Sequence, residues 1–293
     1  MNLRQVVGMS LVGWLWVSAA WAQPVSTVFS CGFEVSDTPG NGYTNGAQIH
    51  TAGGSPYYWN WSGSDIGRVT DEVAAVQSGA QGLRALRSST TGSQFLWTRA
   101  NNAFSPISAG TNVIYIEIHV KSSGWANSVN SFLEFWALGA DANASDSGAN
   151  KEMRTGYVAL RGNGSFIGYN SSNATAVSLA SGVSVGSWNR IGLELFMTSR
   201  TYNVYLNGGK VATNFAFYGG ANMTQIYSLQ FKEYNNGASS GGVYVDDVSV
   251  QLWGAHGIPT LSQWALIALV GMILFLGVRR LASPTSTVPG CKA

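Results

Sequence analysis

The sequence predicts an all-β body, a two-sheet antiparallel jelly-roll sandwich, carried between two terminal targeting segments. Three observations carry this prediction. Short runs rich in β-branched and aromatic residues recur between turns of Gly, Asn and Ser. Tyr202-Asn-Val-Tyr-Leu206, then Asn207-Gly208-Gly209, then Lys210-Val-Ala reads as a hairpin, because Asn-Gly supplies the positive φ angles of a tight turn. No long amphipathic helix lies between Gln23 and Gly257, which leaves about 235 residues for one β domain.

The strands follow in order. The first is expected over Val28–Val35, where Phe29, Cys31, Phe33 and Val35 share one parity. Phe95–Arg99 is the next clear run. Val113–Lys121 alternates most cleanly, with Ile114, Ile116, Ile118 and Val120 on one face and Tyr115, Glu117 and His119 on the other. On Ser131–Leu138, Phe132, Glu134 and Trp136 share a face. Gly156–Arg161, Ser165–Tyr169, Trp188–Met197, Tyr202–Leu206, Lys210–Thr213, Ile226–Lys232 and Val243–Leu252 complete the set. About a dozen strands in two layers is the size of a jelly roll.

Gly186-Ser187-Trp188 opening a strand, the Asn207-Gly208 turn, and the last strand from Val243 to Val250 resemble the concanavalin A-like jelly roll, including laminin G-like modules. That resemblance implies sheets packed face to face and first and last strands paired. It also implies an outer sheet face of the kind that often forms a saccharide groove.

The two ends read as addresses. Arg4, an apolar stretch from Val6 to Trp16 and the small-x-small site Ala20-Trp21-Ala22 are the three parts of a cleavable signal peptide over residues 1–22. The apolar run is short for a membrane span, which argues against an uncleaved anchor. The mature chain is expected to start near Gln23. At the other end, Trp264 to Val278 is uncharged and Arg279-Arg280 follow, so one transmembrane helix is expected with its basic end in the cytoplasm. Pro259 holds the preceding chain extended, as a processing enzyme needs, and Trp264 fits the membrane interface. Ile258-Pro259-Thr260-Leu261-Ser262-Gln263-Trp264, the apolar helix and Arg279-Arg280 resemble the IPTL-type C-terminal sorting signal of Gram-negative bacteria. The resemblance implies recognition by an exosortase-like transpeptidase, with signal peptidase as the other processing partner. Ala265 stands where that signal usually has Gly, and a polar tail, 283–293, follows it. The expected organisation is therefore signal peptide 1–22, jelly-roll domain 23–257, sorting signal 258–282 and tail.

Composition excludes several classes. Without the four basic residues of the two signals, 12 basic face 14 acidic residues, and no basic patch invites nucleic acid. Cys31 and Cys291 lie on opposite sides of the expected membrane segment, so no disulfide framework exists; Cys31 is expected to be a small buried hydrophobe. His50, His119 and His256 are too scattered for a zinc site, and no phosphate-binding loop is present.

Two candidate sites remain in the body. If the strands at Val113 and Ser131 are neighbours, they present Tyr115, Glu117, His119, Glu134 and Trp136 together, as aromatic platforms and polar groups for a polysaccharide or matrix glycan. The alternative is an ordinary solvated face with cross-strand pairs. Tyr57, Tyr58, Trp59 and Trp61 are either sugar platforms or a cap on one end of the sandwich. Asp246 shares parity with Val248 and Val250, so it points inward and needs a partner. With Glu34 on the first strand and Asp247 beside it, a structural Ca²⁺ is one solution and hydrogen bonds to loop amides the other. For catalysis, a glycanase needs two carboxylates about 5 Å apart, and no supporting run occurs. The pieces of a polysaccharide lyase, Arg99, Glu117-Ile118-His119 and Phe231-Lys232-Glu233-Tyr234, are faint. The expected body is thus a non-catalytic glycan binder, with a lyase or an adhesive protein without small ligand as alternatives.

Overall fold

A computed structural model of the chain describes residues 24–37, 43, 45–46, 48–49, 59–62, 68–70, 76–85, 93–98, 107–108, 113–123, 132–138, 154–171, 175–219, 225–234 and 242–253. The expected signal peptide, sorting signal, transmembrane helix and tail lie outside these residues, as do Arg99, Tyr57 and Tyr58. Among the described residues no helix is long and apolar enough to cross a membrane.

In chain order the strands are β1 (Pro24–Cys31), β2 (Trp59–Ser62), β3 (Arg68–Thr70), β4 (Gly82–Ala85), β5 (Ser93–Thr98), β6 (Ile107–Ser108), β7 (Val113–Ser123), β8 (Phe132–Leu138) and β9 (Arg154–Arg161). There follow β10 (Phe166–Gly168), β11 (Val177–Ala180), β12 (Asn189–Phe196), β13 (Thr201–Leu206), β14 (Gly209–Ala216), β15 (Gln225–Ile226), β16 (Ser228–Tyr234) and β17 (Gly242–Trp253). They form two antiparallel sheets. The first has eight strands in the order β14-β13-β12-β7-β17-β4-β3, with β1 also on β17. The second has seven, in the order β11-β10-β9-β8-β16-β5-β2, while β6 and β15 pair by themselves. The all-β antiparallel sandwich is what the strand periodicity led one to expect.

Alternation decides what is buried. Ile114, Ile116, Ile118 and Val120 of β7 face Leu133, Phe135 and Ala137 of β8, Val158 and Leu160 of β9, and Leu229 and Phe231 of β16 in one continuous core. Phe135 and Phe231 stack at 5.0 Å. Tyr202 of β13 spans the two layers, its hydroxyl donating to the carbonyls of Tyr169 at 2.5 Å and Tyr157 at 3.2 Å. Its ring needs Gly156 opposite, since a Cβ there would stand 2.9 Å from it.

The Asn-Gly hairpin forms as expected: Asn207 and Gly208 take φ of 50° and 83°, and Leu206 pairs with Gly209. First and last strands pair, from Pro24 opposite Trp253 to Cys31 opposite Val248. Three expectations shift. The first strand leaves the ladder at Cys31 rather than Val35, because Phe33 turns to φ 60° and a 3-10 turn, Val35–Asp37, follows. Trp59 lies on a strand, not in a loop, and is buried among Phe29, Phe33 and Phe231, so it fills the core. The run Ile226–Lys232 divides, one part pairing with β6 and the other with β8 and β5. Cys31 is a buried free thiol, and burial pushes it up to about 12, so it stays protonated and inert.

Candidate functional site on the outer face of the second sheet

The five residues expected to cluster on neighbouring strands do not cluster. β7 belongs to the first sheet and β8 to the second. Both strands point their apolar parity into the shared core, so Tyr115, Glu117 and His119 face outward on one side and Glu134 and Trp136 on the other. The chain crosses between layers after β7, and alternation specifies a face but not a neighbour. The same division separates Glu117-Ile118-His119 from Phe231-Lys232-Glu233-Tyr234, so those two lyase pieces do not meet.

The first outer face is mostly matched internally. Tyr115 stacks on Trp253 at 4.5 Å and meets Tyr205 edge-on at 5.9 Å. Its ring needs Gly192, where a Cβ would stand 2.3 Å from the phenol oxygen. The Tyr115 hydroxyl donates to Glu117 at 2.9 Å, and Arg190 stands 3.7 Å from the same carboxylate. Burial and the Glu117 charge push the Tyr115 phenol up, which keeps its proton in place. Glu194 receives the Asn203 amide at 2.7 Å and the Tyr205 hydroxyl at 2.8 Å, with Lys210 at 3.7 Å. His119 lies 3.6 Å from Asp247, and burial holds its imidazole below its ordinary value. Most donors here have acceptors; His119 Nδ1, 3.6 Å from Asp247, makes no hydrogen bond among the described residues.

The second outer face is different. Trp136 is paired across the strands with Gln230 of β16 on one side and Tyr157 of β9 on the other. Ser228 lies two residues along β16 from Gln230, on the same face. All three groups are buried: Trp136 and Ser228 are 0% exposed and Gln230 2%. Yet Trp136 Nε1, Ser228 Oγ and Gln230 Nε2 find no hydrogen-bond partner among the described residues. Desolvating such a group without a partner costs about 1–3 kcal/mol, so buried polar groups are nearly always paired. Three orphans on adjoining positions of one face are therefore unusual.

Rings and charges frame them. The Arg154 guanidinium lies 4.3 Å over the Trp136 ring, 5.2 Å over Tyr157 and 6.0 Å over Tyr218. Tyr157 stacks on Tyr169 at 4.1 Å and meets Trp136 edge-on at 5.2 Å. The Tyr157 hydroxyl donates to Glu134, whose other oxygen is 3.9 Å from the Lys232 ammonium. Burial, then the Glu134 charge, pushes the Tyr157 phenol far up, so it serves Glu134 as a fixed donor. Sequence reasoning found Glu134 and Trp136 here but missed Arg154, Tyr157, Ser228 and Gln230. The parity of Ser228, Gln230 and Lys232 was readable; that β16 adjoins β8 was not.

Glu34, Asp246 and Asp247 do come together, at a break in the last strand. β17 pairs with β4 through Val245 and with β1 from Val248 onward, and between them Asp247 takes φ 48° in a bulge. Loop residues 76–81 run past this gap, and carboxylates take up their free N–H groups. Glu34 Oε1 accepts from Ala80 N at 2.7 Å and Gln81 N at 2.9 Å. Asp246 accepts from Gln77 N at 2.8 Å, Ser78 N at 3.2 Å and Asp247 N at 2.9 Å, while Asp247 accepts from the Ser78 hydroxyl at 2.7 Å. Asp37, which sequence reasoning missed, accepts from Gly32 N at 2.7 Å and Glu34 N at 2.9 Å. Among the described residues no three His, Cys, Asp or Glu side chains are placed to hold a metal. Among the described residues these carboxylates hydrogen-bond loop amides, the second of the two solutions the sequence offered.

Residues 257–281 match the IPTL-CTERM motif, in agreement with the segment read from the sequence. No curated protein matches the chain. Among solved structures, the carbohydrate esterase vb_24B_21 of the Shiga toxin-encoding bacteriophage phi24B is similar with a TM-score of 0.51 and 14% identity, covering 78% of this chain and 98% of that one. The Emp47p carbohydrate recognition domain gives 0.48 and 10% identity over 80% and 99% of the two chains. An endo-β-1,4-glucuronan lyase from the fungus Trichoderma reesei gives 0.47 and 15% identity over 77% and 95%. At such identities the likeness concerns the fold alone.

Proposed function

We propose that this is an exported bacterial surface protein whose sandwich binds carbohydrate, without catalysis, through the outer face of the second sheet. Signal peptidase removes residues 1–22 on export, and the IPTL-type tail, with Ile258, Pro259, Thr260, Leu261, Trp264, Arg279 and Arg280 as its recognition elements, holds the chain in the membrane for an exosortase-like enzyme. The tail match supports the address. One observation carries the binding: Trp136, Ser228 and Gln230 bury unpaired polar atoms on an aromatic-lined outer face. Folding alone gives no return for that arrangement, whereas a ligand rich in oxygen and C–H faces satisfies both features. The first outer face, where Tyr115, Tyr205 and Asn203 already donate to Glu117 and Glu194, reads as structural.

A non-catalytic reading is favoured over a lyase by two points. The Glu117-Ile118-His119 and Phe231-Lys232-Glu233-Tyr234 segments lie in different sheets. Tyr157, the phenol nearest the orphaned groups, commits its proton to Glu134. A glycan array probed with the full chain tests the reading: specific hits lost on Trp136→Ala support it, and silence across the array supports an adhesive protein without a small ligand. Uronate polymers incubated with the protein should give no rise in the ultraviolet absorbance of unsaturated products; a steady rise would establish a lyase. Mass spectrometry of the exported protein should find Gln23 at its start and an end upstream of Ala293, and an intact Ala293 would overturn tail processing.

A further inference from the structure

We infer that the saccharide on the outer face of the second sheet is acidic, a polymer whose sugars carry carboxylate or sulfate groups. The inference rests on the glycan-binding reading above and names the ligand class. It follows from what the orphaned atoms can and cannot do. An indole N–H only donates, and so does an amide Nε2; of the three, only the Ser228 hydroxyl can also accept. Among the described residues the one carboxylate on this face, Glu134, accepts from the Tyr157 hydroxyl through one oxygen and forms an ion pair with the Lys232 ammonium, 3.9 Å away, through the other. Among the orphaned atoms of Trp136, Ser228 and Gln230, donors thus outnumber acceptors. A neutral sugar brings hydroxyl groups that must donate as well as accept, so its own protons would be buried unpaired there. Anionic oxygens accept without donating and satisfy Trp136 Nε1 and Gln230 Nε2 outright.

Charge agrees. Among the described residues this outer surface brings the Arg154 guanidinium against the Trp136 ring and Lys232 beside Gln230, against the single Glu134. The body as a whole is slightly acidic, with 12 basic and 14 acidic residues outside the two signals, so general attraction to polyanions is not expected. A preference for acidic polymers would have to come from a local site. Tyr169 and Tyr218, half-buried beside the buried Trp136 and Tyr157, supply the apolar ring surface that sugar C–H faces require.

The test is affinity electrophoresis of the full chain in gels containing alginate, polygalacturonate, carboxyl-reduced polygalacturonate, dextran sulfate or dextran. The expected result is retardation by at least one acidic polymer, with apparent affinity about tenfold or more above that for the neutral polymers. Retardation by alginate or polygalacturonate alone assigns the carboxylate form, and by dextran sulfate alone the sulfate form. Lys232→Gln and Gln230→Leu should each reduce the retardation, while Lys210→Gln on the other sheet should not. Equal retardation by neutral and acidic polymers overturns the acidic class and leaves glycan binding standing. No retardation by any polymer overturns both. Retardation that Lys210→Gln abolishes and Gln230→Leu does not would overturn the site.

Discussion

Replacing Gln230 by Leu should make the protein more stable and a poorer binder. Gln230 is 2% exposed, and its Nε2 has no acceptor among the described residues. Burying that donor costs about 1–3 kcal/mol, and a Leu side chain of similar size carries no such penalty. Some of the gain is lost because Leu is branched where the site was shaped for an amide, so a net stabilisation of about 1 kcal/mol is expected. For a domain of this size that corresponds to a rise in Tm of about 2–4 °C. Ser228→Ala should shift in the same direction by less, because a hydroxyl is smaller and can turn toward a backbone carbonyl. The assay is thermal unfolding of the full chain by circular dichroism, with affinity electrophoresis on the same samples. A Gln230→Leu protein destabilised by more than about 1 kcal/mol would refute the reasoning, since it would mean that the amide is satisfied by a structural water. Unchanged binding would refute it from the other side. A rise in stability with lost binding is the signature of polar groups kept for a ligand.

Other expectations concern the carboxylates around the loop at 76–81. Gly79→Ala should destabilise by about 2–4 kcal/mol in chemical denaturation, because φ there is 68° and a Cβ would stand 2.1 Å from Glu34 Oε1, breaking its hydrogen bonds to Ala80 and Gln81. Asp246 is raised to about 7 in the folded chain, by burial first and the Asp247 charge in part, and Asp37 is shifted the same way. Glu34, Asp37, Asp247 and His119 are the other ionisable groups around it. A folded carboxyl that holds its proton more tightly than the unfolded one favours folding at low pH. Stability should therefore fall as pH rises from about 4 to about 7 and level off above, by an amount on the order of a few kcal/mol. Asp246→Asn should flatten that slope in urea titrations, and an unchanged slope would count against the assignment. EDTA should leave Tm unchanged, as the carboxylate oxygens are already engaged by amides; a drop of several degrees reversed by Ca²⁺ would return Glu34, Asp246 and Asp247 to a metal.

What the sequence made legible follows from period and turn chemistry. Val113–Lys121 alternates so cleanly that its core and outer residues were both assigned, and Asn207-Gly208 could hardly be anything but a tight turn. The closeness of Glu34 to Asp246 followed from first and last strands pairing. Hydrogen bonds to loop amides were one of two solutions the sequence left open, and which loop supplies the N–H groups is something no side-chain identity encodes. Strands such as Arg68–Thr70 and Gly82–Ala85 were too short to show a period. The binding face was half legible. Trp136 and Glu134 stood out as a tryptophan and a carboxylate on one parity, but they were joined to Tyr115 and Glu117 because consecutive strands are usually neighbours. Here β7 and β8 belong to different layers, and the true neighbour of Trp136 is Gln230, almost a hundred residues downstream. Long-range pairing of that kind leaves no local trace in a sequence.

The most direct test of the account sets the two outer faces against each other. Gln230→Leu on the second sheet and Glu117→Gln on the first are measured side by side for retardation in gels of the acidic polymer that binds the unaltered chain best. The account predicts that Gln230→Leu loses most of the retardation, while Glu117→Gln, whose carboxylate serves Tyr115 and Arg190, keeps it. Retention by Gln230→Leu and loss by Glu117→Gln would place the glycan on the first sheet and contradict the central claim.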